Sequence, residues 1–195
     1  VKLTIPFNLK LIDAKRFVDT HMSWLDDKLK TIGPFYPLVD GMMLPIGGQE
    51  RKLSIDKDIS VDFYLDTGTI RFPKNNNPIE LHVKNFFKTR AKIFFTKSCK
   101  VYLEKLDTSY KALTIKDPKT RWGSCSSDGN LMFSWRLMMA PHQVSDYVAA
   151  HEVAHLIHLN HSSEFWGIVK QICPNYGEQR NWLRKNGKYL HNFVF

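Results

Sequence analysis

The spacing of hydrophobic and polar residues in the first half of the chain predicts one helix and one hairpin. Apolar residues recur at helical spacing over residues 14–29, and the pattern stops at Gly33, which ends the predicted helix. Residues 41–55 then contain two short apolar runs on either side of Gly47 and Gly48. A pair of glycines between two such runs is typical of a hairpin turn.

A second hairpin and a long loop follow. Residues 61–65 and 69–72 flank an Asp-Thr-Gly turn, which predicts another pair of antiparallel strands. Residues 73–78 are rich in asparagine and proline and predict a loop. We therefore predict an α+β fold with an N-terminal α/β lobe over residues 1–77 and a core over residues 78–195. One continuous domain is the alternative.

The second half of the chain has mainly helical periodicity. Residues 79–106 have a broad apolar face and predict one long helix. Other predicted elements are a strand at residues 113–116, a tight turn at 121–125, a strand at 131–138, a helix from Pro141 to about Leu159, a helix capped by Ser162, and a last helix at 178–188. We expect the strand at 131–138 to be a sheet edge, along which an extended peptide can bind.

Composition narrows the class of protein. No apolar run approaches the roughly 20 residues of a membrane-spanning helix, and the N-terminal stretch has no pattern of a secretory signal. Cys99, Cys125 and Cys173 lie far apart, which predicts neither a disulfide scaffold nor a thiolate zinc finger. We therefore expect a cytoplasmic protein with three inert thiols and no membrane partner. Cys125 is not expected to be a catalytic nucleophile, because the sequence offers no dedicated histidine to activate its thiol.

The charge of the chain is strongly basic. Lysine and arginine number 28 against 19 acidic residues, for a net charge of +9 in a chain of 195 residues. A net positive charge of this size is compatible with binding to nucleic acid or to an acidic partner. The densest basic group, residues 84–100, lies in the predicted long helix, where a solvated face is the simpler interpretation.

The sharpest chemical feature is the sequence His151-Glu152-Val153-Ala154-His155. Residues four apart share one face of a helix, so two imidazoles can bind the same cation. Glu152 projects roughly 100° away from His151. From there it can take a proton from a metal-activated water without being a ligand. Because apolar residues precede the motif, burial of these polar groups would be costly without a metal.

A catalytic zinc requires a third protein ligand. The candidates are His158, His161, Glu164 and Glu178. His158 would point past the metal on a continuous helix, and either glutamate would suit a site completed by a later helix. His161 can reach the metal only if the helix ends first. Asn160 tolerates the left-handed conformation that ends helices, so we favour His161.

The chain resembles a known family through a series of short motifs. Residues 121–187 resemble the YgjP-like metallopeptidases, relatives of the SprT-like and WLM zinc proteases. The residues that carry the resemblance are Arg121-Trp122-Gly123-Ser124-Cys125, Trp135-Arg136-Leu137, Ala140-Pro141, Asp146-Tyr147-Val148, the motif from His151 to His155, Asn160-His161-Ser162, Phe165-Trp166, Pro174-Asn175-Tyr176 and Trp182-Leu183.

The resemblance implies a zincin-like core of gluzincin type, in which a small antiparallel sheet packs on the active-site helix. It also implies one Zn²⁺ per chain, three histidine ligands, a glutamate base and a protein or peptide substrate. Tyr176, Arg136 and Trp135 are candidates for contact with the substrate or the transition state. For Tyr176, which could donate to a developing oxyanion, a packed side chain is the simpler interpretation.

Other functions remain open at this point. Trp122 and Arg121 could line the cleft, although packing of Trp122 and pairing of Arg121 with a buried carboxylate explain them better. A zinc hydrolase of a non-peptide amide would use the same water activation. A nucleic-acid-associated protein with a structural zinc is the third hypothesis, but such a site usually has four ligands that include cysteine.

Overall fold

The computed structural model describes residues 3–31, 34–59 and 63–195, and it divides the chain into two compact units. Val1–Phe35 forms the first unit and Tyr36–Phe195 the second. Helices α1 (Leu11–Thr20) and α2 (Met22–Thr31) belong to the first unit. The single helix predicted over residues 14–29 is therefore two helices, which meet at His21.

The second unit contains the remaining elements. They are β1 (Tyr36–Pro37), β2 (Met43–Ile46), β3 (Gln49–Asp56), β4 (Tyr64–Leu65), β5 (Thr69–Pro73), α3 (Ile79–Leu106), β6 (Ala112–Lys116), β7 (Gly123–Cys125), β8 (Asn130–Ser134), α4 (His142–Ala154), α5 (Ser163–Ile172), α6 (Tyr176–Asn186) and β9 (Phe193–Val194), with 3-10 helices at Trp135–Met139 and Gly187–His191. The described residues thus form six α-helices and small sheets, which confirms the predicted α+β class. None of these helices combines the length and apolarity of a membrane span.

Both predicted hairpins are confirmed, and they join into one sheet. Its strand order is β2-β3-β5-β4. Strands β2 and β3 are antiparallel, as are β4 and β5, whereas β3 and β5 run parallel. Residues 61 and 62 of the second predicted hairpin lie outside the described residues. Asp66 closes its turn, because its carboxylate accepts hydrogen bonds from the backbone N–H of Gly68 and Thr69.

The sheet beside α4 differs from the prediction. Its order is β6-β8-β7, with β6 parallel and β7 antiparallel to β8. The sheet is therefore mixed rather than antiparallel, and the strand expected at the edge is central and paired on both sides. The prediction that residues 131–138 form a sheet edge for peptide binding is therefore wrong. Strand β7, which lies where we predicted only a tight turn, forms one edge. The alternation of apolar and polar residues along a strand indicates which of its faces is buried, but it does not indicate which strands lie on either side.

Helix α3 is confirmed over Ile79–Leu106 and runs through the core. Phe87, Ala91, Phe95 and Cys99 are spaced four apart and are fully buried on one face. The ring of Phe95 stacks on Phe133 of β8 at 4.1 Å. The α3 side chain Tyr102 donates a hydrogen bond to Asp146 of α4. Helix α3 therefore joins the mixed sheet to α4.

The predicted boundary between residues 77 and 78 lies inside the second unit. Phe72 of β5 contacts Phe86 of α3, with ring centroids 5.9 Å apart. The buried hydrophobic side chains of residues 38–193 form a single cluster. Residues on both sides of the predicted boundary therefore share one core.

The turn between β2 and β3 supports the start of α4. Gly47 and Gly48 have positive φ angles of 63° and 80°, which favour glycine. Their backbone N–H groups donate to the carbonyl oxygens of Met138 and Met139 at 2.8 and 3.0 Å. A Cβ atom on Gly48 would lie 2.8 Å from Cγ of Pro141. Only glycine therefore allows this close contact with the residues before α4.

Arg136 ties three parts of the second unit together. Its guanidinium donates to the Asp117 carboxylate at 2.6 Å and to the carbonyl oxygens of Leu190 and Phe193 at 2.9 and 3.0 Å. The side chain is only 10% exposed. An arginine that is buried and bonded in this way stabilises the fold chiefly because its partners would otherwise lack hydrogen bonds.

The substitution Arg136→Met should lower the free energy of unfolding by about 3 kcal/mol, because it leaves one carboxylate and two carbonyls without their donor. Denaturant unfolding would measure this loss. Lys100→Met is the matched control, since Lys100 makes only an exposed pair with Glu104 at 4.0 Å. It should change stability by less than about 0.5 kcal/mol. Equal effects of the two substitutions would contradict the anchoring role.

Candidate metal centre

The C-terminal end of α4 carries the motif predicted to bind a metal. His151 and Glu152 lie in its last turn, and His155 is the residue that caps the helix. Glu152 and His155 are only 5% and 8% exposed. The helix is buried because Val148, Ala149 and neighbouring apolar residues face the core on almost every side.

The helix ends earlier than predicted. We expected it to continue to about Leu159 and to end at a left-handed Asn160, but it ends at Ala154. Among the described non-glycine residues, only Asp107 has a positive φ, so Asn160 is not left-handed. A turn begins instead at Ala154, whose carbonyl oxygen accepts from the N–H groups of Ile157 and His158 at 3.1 Å each. The propensity of one asparagine was outweighed by hydrogen bonds formed within this turn.

The turn brings His161 back toward α4. Its Nε2 atom lies 3.1 Å from Nε2 of His151. Ser162 caps α5 as predicted, because its hydroxyl accepts from the N–H of Phe165 at 3.4 Å. One ring nitrogen from each of His151, His155 and His161 lies within 4.8 Å of the other two.

This cluster fits a tetrahedral metal ion. Zinc–nitrogen distances of about 2.0–2.1 Å separate two ligand nitrogens by roughly 3.4 Å, close to the distance between His151 and His161. His155 is already oriented, since its Nδ1 lies 2.9 Å from the carbonyl oxygen of His158. Donation to that carbonyl leaves a lone pair on Nε2, as metal-binding histidines require.

Electrostatics in the cluster favour neutral imidazoles. Burial lowers the pKa of His151 to about 3, and the charges of His155, His161 and Arg180 act in the same direction. Burial also lowers the pKa of His155, although its bond to the His158 carbonyl opposes this. Neutral rings with convergent lone pairs form a site for a cation rather than for an anion.

Glu152 lies in a narrow space between α4 and β7. A Cβ atom on Gly123 would come within 2.5 Å of Glu152 Oε1 and 2.6 Å of its Cγ, so β7 can pass this closely only as glycine. Burial raises the pKa of Glu152 to about 8, and the positive charge of Arg121 opposes the rise. The charge of Arg121 thus acts on a buried carboxylate, but among the described residues Arg121 forms no ion pair within 4 Å, so the predicted direct pairing is not seen.

Aromatic rings surround the imidazoles. Phe165 stacks on His155 with centroids 4.4 Å apart, and Trp166 stacks on His161 at 5.8 Å. Tyr176 stacks in turn on Trp166 at 5.3 Å. These contacts hold the exposed His161 and half-buried Tyr176 beside the cluster, so Tyr176 is both packed and near the site.

The other predicted site residues differ in position. Trp135 is fully buried and stacks on Phe87, and Arg136 is engaged in the scaffold. Their burial argues against the predicted contact of Trp135 and Arg136 with substrate. Burial and the charge of Glu152 raise the pKa of Cys125 to about 11, which disfavours a nucleophilic thiolate.

The alternative ligands lie outside the cluster. Neither the side chain of His158 nor the carboxylates of Glu164 and Glu178 belongs to the group of converging atoms. His158 contributes only its backbone carbonyl, which accepts from His155. That carbonyl orients the ring of His155, so the contribution of His158 to the cluster is indirect.

Sequence reasoning missed two residues of the site. Gly123 controls the approach of β7 to Glu152, but a single glycine in a predicted turn gives no signal of this. The guanidinium of Arg180 lies 4.5 Å from the ring centroid of Trp166. Its spacing of four residues from Tyr176 on α6 could have indicated a shared helix face.

Comparison with known families identifies the chain. The family model of the YgjP-like metallopeptidase domain matches residues 1–186. The chain belongs to the YgjP-like family. This YgjP-like chain is accordingly a metallopeptidase, a hydrolase that cleaves peptide bonds with a metal ion, which confirms the resemblance found in the sequence.

Two other comparisons add little to the YgjP-like assignment. No curated protein matches the chain significantly. Among solved structures, the metallopeptidase zymogen of Pyrococcus abyssi abylysin is similar, with 22% sequence identity and a TM-score of 0.43. The match covers 51% of this chain and 99% of that one. Because the similarity is distant, the assignment depends on the family match.

The substitution Gly123→Ala should reduce peptide hydrolysis at least tenfold, because the new methyl group would displace the Glu152 carboxylate and one factor of ten requires only about 1.4 kcal/mol. Bound metal should remain. Gly167→Ala is the matched control, since a Cβ there meets nothing within 4 Å. Activity and metal content would be measured for both. Full activity of Gly123→Ala would contradict the close approach of β7.

Proposed function

We propose that this metallopeptidase binds one Zn²⁺ per chain through His151, His155 and His161, with Glu152 as the general base. The observation that carries the proposal is the convergence of three imidazole nitrogens within 4.8 Å beside a buried carboxylate. Zinc is the metal that such a nitrogen-rich set of ligands suits best.

The ligand set supports a catalytic rather than a structural zinc. A structural site is closed by four protein ligands, whereas the described residues supply three. His161 is exposed, so one side of the cluster is open to solvent. An open position is what a water molecule and the substrate carbonyl need.

Each side chain has a distinct role in the proposed mechanism. A bound zinc would lower the pKa of a water molecule and polarise the scissile carbonyl. Glu152 accepts the proton of the attacking water and then transfers it to the leaving amine. The positive charge of a zinc held by the three imidazoles would favour the carboxylate form of Glu152, against the effect of burial. The His158 carbonyl holds His155 in the tautomer whose Nε2 can bind a metal.

Tyr176 and Arg180 are the proposed groups for the transition state. Tyr176 stacks on Trp166 with ring centroids 5.3 Å apart. The guanidinium of Arg180 lies 4.5 Å from the centroid of the Trp166 ring. A hydroxyl and a guanidinium beside the cluster can donate hydrogen bonds to a developing oxyanion.

The finer assignments of fold and compartment are also proposals. Helix α4, with its mixed sheet on one side and α5 and α6 following it, supports a zincin-like core of gluzincin type. Cys99, Cys125 and Cys173 are all unpaired. Free thiols support a reducing compartment such as the cytoplasm.

Replacement of His161 by alanine should weaken zinc binding by more than about 100-fold, because even the loss of an orienting partner typically costs 10- to 100-fold. His158→Ala is the matched control and should bind zinc almost normally, since only its backbone carbonyl contacts His155. Elemental analysis and competition with a chelator would measure stoichiometry and affinity. The ligand assignment is wrong if His158→Ala loses the metal and His161→Ala keeps it.

Glu152→Gln should keep the fold and a full equivalent of zinc but lose hydrolysis by roughly 10²–10⁴, the typical contribution of a positioned base. Glu164→Gln is the matched control, since Glu164 is an exposed carboxylate at the start of α5 and should affect neither quantity. Zinc content and cleavage of an unfolded protein would be measured together. Loss of zinc from Glu152→Gln would make it a ligand or a support, and full activity with full zinc would assign the base elsewhere.

A further inference from the structure

A basic recess lies beside the proposed active site. It is formed by the residues before β7 and by the end of α6 with the 3-10 helix that follows, and its volume is about 250 Å³. Its charged lining consists of Lys119, Arg121, Arg184 and Lys188, and the imidazole of His191 also lines it. No carboxylate is among its described lining residues.

The cations of the recess have no acidic partner of their own. Among the described residues, Lys119, Arg121, Arg184 and Lys188 form no ion pair within 4 Å. The nearby Asp117 is bonded to Arg136 at 2.6 Å, so its charge is already offset. Four cations around one concave space repel each other, and a bound anion would remove that repulsion.

The floor of the recess is apolar and closely packed. The rings of Trp122 and His191 lie 4.8 Å apart. A Cβ atom on Gly187 would come within 3.0 Å of the Trp122 indole. An apolar floor lowers the local dielectric and strengthens the attraction of the surrounding cations for an anion.

The recess lies next to the segment of chain that approaches Glu152. Arg121 and Trp122 line the recess and immediately precede Gly123, on which a Cβ atom would come within 2.5 Å of Glu152 Oε1. Two extended residues span about 7 Å. On this spacing, a group held in the recess would be a few residues along a peptide from the bond that Glu152 would help to cleave.

We propose that this recess is a substrate subsite for a carboxylate close to the scissile bond, so that the enzyme prefers acidic peptides. The inference rests on the proposed peptidase function and specifies its substrate class. The carboxylate can come from an aspartate or glutamate side chain or from the C-terminus of the peptide.

The shape of the recess favours a peptide over nucleic acid. A nucleic acid backbone requires phosphate contacts spread along an extended surface, and single strands also require exposed aromatic rings for stacking. Here the cations surround one small recess rather than an extended surface.

The test compares peptides that differ only in charge. Alanine-rich quenched fluorescent peptides would carry one Glu, or one Gln, at each position in turn, with blocked ends. A second pair would be neutral and end in a free carboxylate or an amide. We expect kcat/KM to be about tenfold higher for one acidic member, and the pair that shows it identifies the source of the carboxylate. Added salt should reduce the preference.

Paired variants connect the preference to the recess. Arg184→Gln with Lys188→Gln should reduce the acidic-to-neutral ratio to nearly one. The matched control, Lys97→Gln with Lys100→Gln, removes the same charge from exposed positions on α3 and should keep the ratio. Ratios of one for every peptide pair in the native enzyme would overturn the proposal. So would a loss of oligonucleotide affinity in the recess variant with an unchanged peptide ratio.

Binding to zinc-loaded Glu152→Gln separates this inference from the proposed function. Fluorescence anisotropy would give the affinity of each labelled peptide without cleavage. If no peptide is hydrolysed by the native enzyme, the peptidase proposal fails. A tenfold tighter binding of the acidic peptide, lost in the recess variant, would still support the subsite, and equal binding of both peptides would exclude it.

Discussion

The end of α4 at Ala154 is the constraint on which the proposed metal centre depends. On a continuous helix, His161 would point about 240° away from His155 and lie roughly 9 Å further along the axis. The turn after Ala154 instead returns the chain, so His161 Nε2 lies 3.1 Å from His151 Nε2. The bond between His155 Nδ1 and the His158 carbonyl both closes this turn and orients the ring.

Burial of the site creates an electrostatic conflict that a cation resolves. Without a metal, burial favours neutral imidazoles and also raises the pKa of Glu152 to about 8. Neutral imidazoles are ready to bind a cation, and the cation in turn favours the glutamate anion. Metal binding and formation of the base are therefore coupled, and Arg121 contributes to the same balance from the side of the basic recess.

The scaffold around α4 explains why neighbouring motifs have different roles. Trp135 and Arg136 lie close to the metal motif in sequence, yet they face α3 and the C-terminal residues, where they stabilise the fold. Gly123 is further away in sequence but comes within reach of the Glu152 carboxylate. A motif shared with a family contains structural and chemical residues alike, so only the direction of each side chain distinguishes them.

The sequence by itself determined the α+β class, both hairpins, helix α3, the Ser162 cap and the four residues of the proposed metal chemistry. These depend on local periodicity, turn residues and spacing within one or two turns of a helix, which are properties of short segments. The end of α4, the central position of β8, the burial of Arg136 and the approach of Gly123 were decided by the tertiary structure. Each of them depends on hydrogen bonds or packing between segments distant in sequence, and no local pattern specifies which segments meet.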